Sequence, residues 1–330
     1  VQQQPFCCIN QYITILNYYY NLKNIDIICI GEVLIDFIGH EVNTSINRTK
    51  DYHRFLGGSP TNVAVNASRL GLKSLLVATC GQDGLGDYIV RKLNTNNVIT
   101  SQIRKLENTP TSVIFVSKST ETPEFIPYRQ ADCEIFEEQL PDEIIAQAKI
   151  FHTTCFALSK NPARQTILNR AKKAKELGLQ LSIDLNFSER IFKSREEAKS
   201  VIKEYLSNDP LVKLSEDDCY RLFAEVKSED FIFDYFHSLG ATTICLTKGK
   251  KGVVVSDKTA GLLFQEAFPI DEIKDATGAG DAFWTGFLYA KLMNCSLNDC
   301  VTIAQKLASI KLQNVGRLPD NINFQDYLHH

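Results

Sequence analysis

Short uninterrupted apolar runs alternate with longer amphipathic stretches along most of this chain. Ile25 to Ile30 reads IDIICI and is closed by Gly31, the pattern of a strand buried on both faces. Similar runs predict strands near 74–79, 149–154, 180–184, 211–214, 243–247 and 252–256. Between them the apolar period lengthens and predicts helices near 162–177, 195–207, 216–225, 231–238, 279–293 and 298–312. A further helix starts at Ser59-Pro60, where Ser suits the cap and Pro the first helical position, and it ends at Gly71. Another runs from the Gly84-Leu85-Gly86 loop to about Leu93. Strands alternating with helices imply an α/β fold, with a mainly parallel sheet covered on both faces and one main domain. Two regions break the alternation. Within residues 33–56, and again within 112–130, extended pieces follow one another without an intervening helix, the second region forming a hairpin around Thr120-Glu121-Thr122.

Charge and composition narrow the class. The 330 residues are 44% hydrophobic and 23% charged, enough for a sizeable core. A net charge of −3 without a long basic run gives no footing for nucleic acid or an anionic membrane surface; Lys248-Gly249-Lys250-Lys251 reads as a loop. The ten cysteines lie mostly inside apolar runs, as Cys29, Cys155 and Cys245 do, with no C-x-x-C pair. They read as reduced, buried thiols of a cytoplasmic protein. Residues 1–24 have no basic n-region and no small-residue cleavage site, and Gln and Asn interrupt their apolar residues. The segment is therefore expected to be an extension outside the fold, poorly ordered, neither signal peptide nor membrane span.

The chemistry concentrates at Asp275-Ala276-Thr277-Gly278-Ala279-Gly280-Asp281, directly before the apolar Ala282-Phe283-Trp284. Glycines at a helix start let backbone approach a bulky anion, and the first helical amides have no partner within the helix. Such a turn holds a phosphoryl group. Gly278, Ala279 and Gly280 are thus the candidate anion hole, and Asp281 beside it is the candidate base for an attacking alcohol. The dinucleotide pattern would need glycine at Phe283, and no glycine in the turn is followed by Lys-Ser or Lys-Thr.

The stretch DATGAGD resembles the C-terminal signature of the ribokinase-like carbohydrate kinases, the PfkB family, and DATGAGDAFWTGFL is similar to its bacterial fructokinase form. The other family signature stands earlier, as Gly57-Gly58-Ser59-Pro60-Thr61-Asn62-Val63-Ala64, so the resemblance spans about residues 25–320. It implies a three-layer α/β/α sandwich whose irregular segments, 33–56 and 112–130, form a small β-sheet lid. It also implies ATP-dependent phosphorylation of a sugar, fructose first, with 2-keto-3-deoxygluconate or ribose kinases as alternatives. A non-catalytic sugar binder on the same fold is the alternative of a different class.

Residue by residue, the resemblance assigns Asp36, Gly57, Gly58, Asn62 and Arg129 to the sugar. Asn186, Ser215, Thr247, Gly249, Gly252 and Asn314, with Gly316, fall at nucleotide positions. Asp184 and Asn186 resemble the family's D-x-N segment, although Ser188 stands where the family often has Arg. Its N-x-x-E motif appears as Ser215-Glu216-Asp217-Asp218, which implies an outer-shell Mg²⁺ role for Asp218 or for Glu216. Asp275 and Thr277 match a K⁺ site, and family lids pair in homodimers.

Overall fold

Strand β1 (Ile25–Ile30) is an interior strand of a large sheet, with every residue but Asp26 buried. The structure, a computed structural model, describes residues 23–118, 124–270, 272–314, 318, 319, 322 and 324. In chain order the other strands are β2 (Leu34–Val42), β3 (Tyr52–Gly57), β4 (Ser74–Gly81), β5 (Ile103–Leu106), β6 (Val113–Lys118), β7 (Phe125–Tyr128), β8 (Ala148–Thr154), β9 (Gln180–Asp184), β10 (Leu211–Ser215), β11 (Thr243–Thr247), β12 (Val253–Asp257) and β13 (Gly261–Gln265). The helices are α1 (Ser59–Arg69), α2 (Gly84–Thr95), α3 (Asp142–Ile145), α4 (Ala163–Glu176), α5 (Arg195–Leu206), α6 (Glu216–Phe223), α7 (Glu229–Ser238), α8 (Ala279–Leu292) and α9 (Leu297–Leu312).

The main sheet runs β13-β12-β11-β10-β9-β8-β1-β4-β5. It is parallel from β5 to β11, and β12 and β13 close one edge as an antiparallel hairpin. Alternate strand residues feed two separate cores, as the period-two geometry of a strand requires. Ile28, Phe151, Ile183 and Val212 pack with α4, α5 and α7. Ile27, Cys29, Ile150 and Leu211 pack with α1, α2, α8 and α9. This is the expected three-layer ribokinase-like α/β arrangement. The two irregular segments build a second sheet, β3-β2-β6-β7, in which β2 pairs antiparallel with β3 and parallel with β6.

Three expectations change. The run 252–256 is β12, antiparallel to β11 within the mainly parallel sheet, because the short Lys248–Gly252 turn cannot hold the crossover that a parallel return needs. Apolar patterning misses β13 and β5, whose exposed positions dilute the signal. Helix α6 stops at Phe223, since Ala224 turns left-handed with φ 60°. Residues 1–22 and the turn Thr120-Glu121-Thr122 lie outside the described residues. Among the described residues no helix is long and apolar enough to cross a membrane.

Candidate active site

The turn before α8 is built by its own side chains and by the end of α9. The N–H groups of Lys274 and Asp275 donate to the Leu312 carbonyl at 2.8 and 3.3 Å. Asp275 then folds back, its Oδ1 accepting the Thr277 N–H at 2.9 Å. Gly278 takes φ 76°, which a glycine adopts without steric cost, and α8 begins at the next residue. The Ala279 N–H is used locally, donating to the Ala276 carbonyl at 3.2 Å. The next main-chain donor, Gly280 N–H, has no acceptor among the described residues. Below this turn α8 is clamped by burial of Phe283, Trp284 and Phe287, and the Trp284 indole donates to Ser182 Oγ at 2.9 Å. The glycine turn therefore stands on a helix packed into the core.

Asp281, in the first turn of α8, meets the start of α1. Ser59 Oγ donates to its Oδ1 at 2.6 Å, and Asn62 Nδ2 donates to its Oδ2 at 2.8 Å. Burial raises its pKa, while these two hydrogen bonds and the charges of Lys213 and Lys311 work in the opposite direction. The glycine pair before α1 brings this about. Gly58 has φ 103°, and a Cβ there would overlap the Glu32 carbonyl. Glu32 Oε1 accepts the Ser59 N–H at 3.1 Å, and its Oε2 accepts from Thr154 Oγ1 at 3.0 Å. Burial pushes Glu32 up to about 8. Gly57 serves a different purpose: a Cβ on it would overlap the Asp36 carboxylate, which comes across from β2. Burial, and then the charge of Asp281, raise Asp36 to about 7. Two acids and an amide thus converge in front of α8.

A cation lies behind the turn. Lys213, inside β10, holds Asp184 at the end of β9 through contacts of 2.9 and 3.1 Å, both side chains buried. A Cβ on Gly280 would sit 2.9 Å from Lys213 Nζ, so glycine is needed there for the lysine to lie against the helix start. Burial works against the charge on Lys213, but Asp184, Asp218 and Asp281 outweigh it and raise its pKa. Burial raises Asp184 to about 7, although Lys213 opposes this.

The nucleotide positions line the carboxyl ends of neighbouring parallel strands, where α/β sheets bind ligands. Ser215 and Thr247 are register partners on β10 and β11. Asn186 follows β9, with its Oδ1 accepting the Phe156 N–H at 3.2 Å. Gly249 and Gly252 make the left-handed turn after β11, with φ 56° and 99°. Lys248 in that turn pairs with Glu216 and Glu229. Asn314 caps the end of α9, its Nδ2 donating to the Ile310 carbonyl at 2.7 Å; Gly316 lies outside the described residues.

Three assigned side chains do other work here. Ser215 and Asp218 form a reciprocal capping box on α6, with Asp218 Oδ2 accepting from Ser215 N–H and Oγ at 2.9 and 2.6 Å. Asp218 Oδ1 faces Arg221 at 3.4 Å. No described group of three or more His, Cys, Asp or Glu residues could hold a metal ion. Arg129 is buried and engaged: it grips Asp132 with Nε at 2.8 Å and Nη2 at 2.6 Å, donates to Ser159 and the Phe156 carbonyl, and lies 4.1 Å over the Phe156 ring.

Sequence reasoning alone passes over Glu32, Lys213 and Lys311, and gives Ser59 only the start of a helix. Each carries a signal. Lys213 is a charge inside an apolar strand, Glu32 one between the apolar runs of β1 and β2, and Lys311 one near the end of a helix with a buried face, where a buried charge is costly unless paired.

The pfkB family carbohydrate kinase model matches residues 24–321. An ATP-dependent 6-phosphofructokinase of Thermoanaerobacterium thermosaccharolyticum is 31% identical over 298 residues, covering 90% of this chain and 91% of the relative. The fructokinase of Halothermothrix orenii superposes with TM-score 0.76 at 32% identity, covering 89% of this chain and all of that one. A sugar kinase of Pyrococcus horikoshii, solved in complex with ATP, superposes with TM-score 0.78 at 29% identity, covering 88% and 93%.

Proposed function

The chain belongs to the PfkB family of carbohydrate kinases, and we propose that it transfers the γ-phosphoryl group of ATP to a hydroxyl of a ketose, fructose in the first instance. One observation carries the reading: Asp281 stands in the first turn of α8, beside the Gly278–Gly280 turn and hydrogen-bonded to Ser59 and Asn62. A base, an anion-binding turn and polar groups suited to a polyol then meet in one place.

In this reading the sugar enters between the second sheet and α8. Asp36 accepts hydroxyl protons from the sugar, and the backbone at Gly57 and Gly58 leaves room for the ring. An incoming hydroxyl displaces Ser59 or Asn62 from one oxygen of Asp281 and donates to the base. Its proton passes to Asp281 as the oxygen attacks phosphorus in line, the bond to the β-phosphate oxygen breaks, and ADP leaves. Gly280 N–H and the start of α8 meet the charge on the transferred oxygens. Lys213 adds a fixed positive charge behind them.

Mg²⁺ belongs with the nucleotide, where it neutralises phosphate charge. With Asp218 spent on the α6 cap, this chain's own side chains supply little to the ion unless that cap opens. Engagement of Arg129 on Asp132 favours a neutral ketose over a sugar acid such as 2-keto-3-deoxygluconate. The free, mostly buried cysteines are consistent with a cytoplasmic enzyme, and the exposed Ile126 and Tyr128 of β7 with pairing of two lids. A coupled ADP-release assay across fructose, fructose 6-phosphate, ribose, 2-keto-3-deoxygluconate and adenosine tests the reading. Fructose should give the largest kcat/KM. ADP release with none of them, alongside measurable sugar binding, would make the protein a binder.

A further inference from the structure

The resemblance to the family places a K⁺ ion at Asp275 and Thr277, and the residues present do not fit one. Asp275 Oδ1 is taken by the Thr277 N–H at 2.9 Å. Its Oδ2 faces the ammonium of Lys311 at 3.1 Å. Lys311 also donates toward the Asn314 carbonyl at 3.4 Å, in the last turn of α9, where the helix dipole favours a cation. The lysine side chain is only 7% exposed and that of Asp275 23%, so the pair is largely shielded from water. A K⁺ on the same carboxylate would press against a like charge in a desolvated setting.

We infer that Lys311 is a tethered monovalent cation, which holds the Asp275 turn in shape for phosphoryl transfer and makes the enzyme independent of K⁺. The ammonium matches K⁺ in charge and likewise takes oxygen partners. It acts through Asp275, whose other oxygen fixes Thr277 immediately before Gly278. The stem of Lys311 runs under the turn itself: a Cβ on Gly278 would lie 3.7 Å from its Cε. Its charge also reaches the base, where it favours the ionised form of Asp281. Lys311 is thus a positioning residue, and the inference rests on the reading of this turn as the phosphoryl site.

The test compares the whole protein in K⁺, Na⁺ and tetramethylammonium chlorides at equal ionic strength. Wild-type turnover should agree within about twofold among the three salts, and its calorimetric melting temperature should not rise in K⁺. Lys311→Met should lose at least about tenfold in kcat with little change in sugar KM, because the turn loses the charge that faces Asp275 Oδ2. Lys311→Ala, which opens space at Asp275, should regain turnover with added K⁺ or methylammonium, and its melting temperature should rise with the same ions. Two results overturn the inference: a wild-type melting temperature or rate that climbs with K⁺ over Na⁺, or a Lys311→Met protein that equals wild type in K⁺-free buffer. If Lys311→Met does not fold, the wild-type salt comparison still decides. The melting comparison also needs no acceptor, so failure of the kinase assay with every sugar would count against the proposed function and leave the cation test standing.

Discussion

Replacing Asp281 with asparagine separates its chemical role from its structural one. The substitution removes the proposed proton acceptor and keeps the shape. The amide oxygen of the new side chain can still accept from Ser59, which donates to Asp281 at 2.6 Å. On the other side the new amide nitrogen would face the Asn62 Nδ2 donor, now at 2.8 Å. A half-turn of the Asn62 amide presents its oxygen instead and restores the bond. Without that turn the unpaired donors would cost about 1–3 kcal/mol. In the opposite direction, the variant no longer carries a charge that burial disfavours, and it relieves Asp36 of a like charge. Stability should therefore hold or rise slightly. Turnover should fall by about 10²- to 10⁴-fold, the usual contribution of a positioned base, or roughly 2.7–5.5 kcal/mol of barrier. Coupled ADP release gives kcat, isothermal titration gives sugar affinity, and scanning calorimetry gives the melting temperature. A kcat within about fivefold of wild type would place the base elsewhere. A parallel collapse of rate and melting temperature would make Asp281 a structural residue.

Other outcomes follow from the same geometry. Gly57→Ala should raise the sugar KM severalfold while the protein stays folded, because its methyl displaces the Asp36 carboxylate; steady-state kinetics with fructose checks this. Lys213→Met should lower kcat and destabilise the fold together, by about 3–5 kcal/mol for a broken buried pair, and denaturant titration reads the second effect; adding Asp184→Asn should recover stability without recovering rate. Asp36 sits at about 7, above its unfolded value, so the native state holds the extra proton and ligand-free stability should fall as pH rises from about 4 to about 7. Melting curves of Asp36→Asn should lack that component and gain on wild type toward the alkaline side.

Much of this architecture could be read from apolar patterning alone. IDIICI is central because it is buried on both faces, and a run of that kind has few alternatives. The direction of β12 does not come from its apolar run, since a buried antiparallel strand and a buried parallel one look alike, but from the short Lys248–Gly252 connection before it. At the site, the glycine turn and Asp281 were legible because they sit in one contiguous stretch. Ser59, Lys213 and Lys311 were not, because each meets its partner across a long separation in sequence that no local pattern encodes. The Ser215-x-x-Asp218 spacing fits both a metal-ordering motif and a capping box, and the hydrogen bonds show the cap formed.

Trp284, the chain's single tryptophan, lies three residues beyond Asp281, stacked on Phe287 and hydrogen-bonded to Ser182. One native fluorophore therefore sits in the helix that bears Asp281. Its emission should be blue-shifted in the folded protein, and quenching or spectral drift during turnover would register any displacement of that helix without an added label.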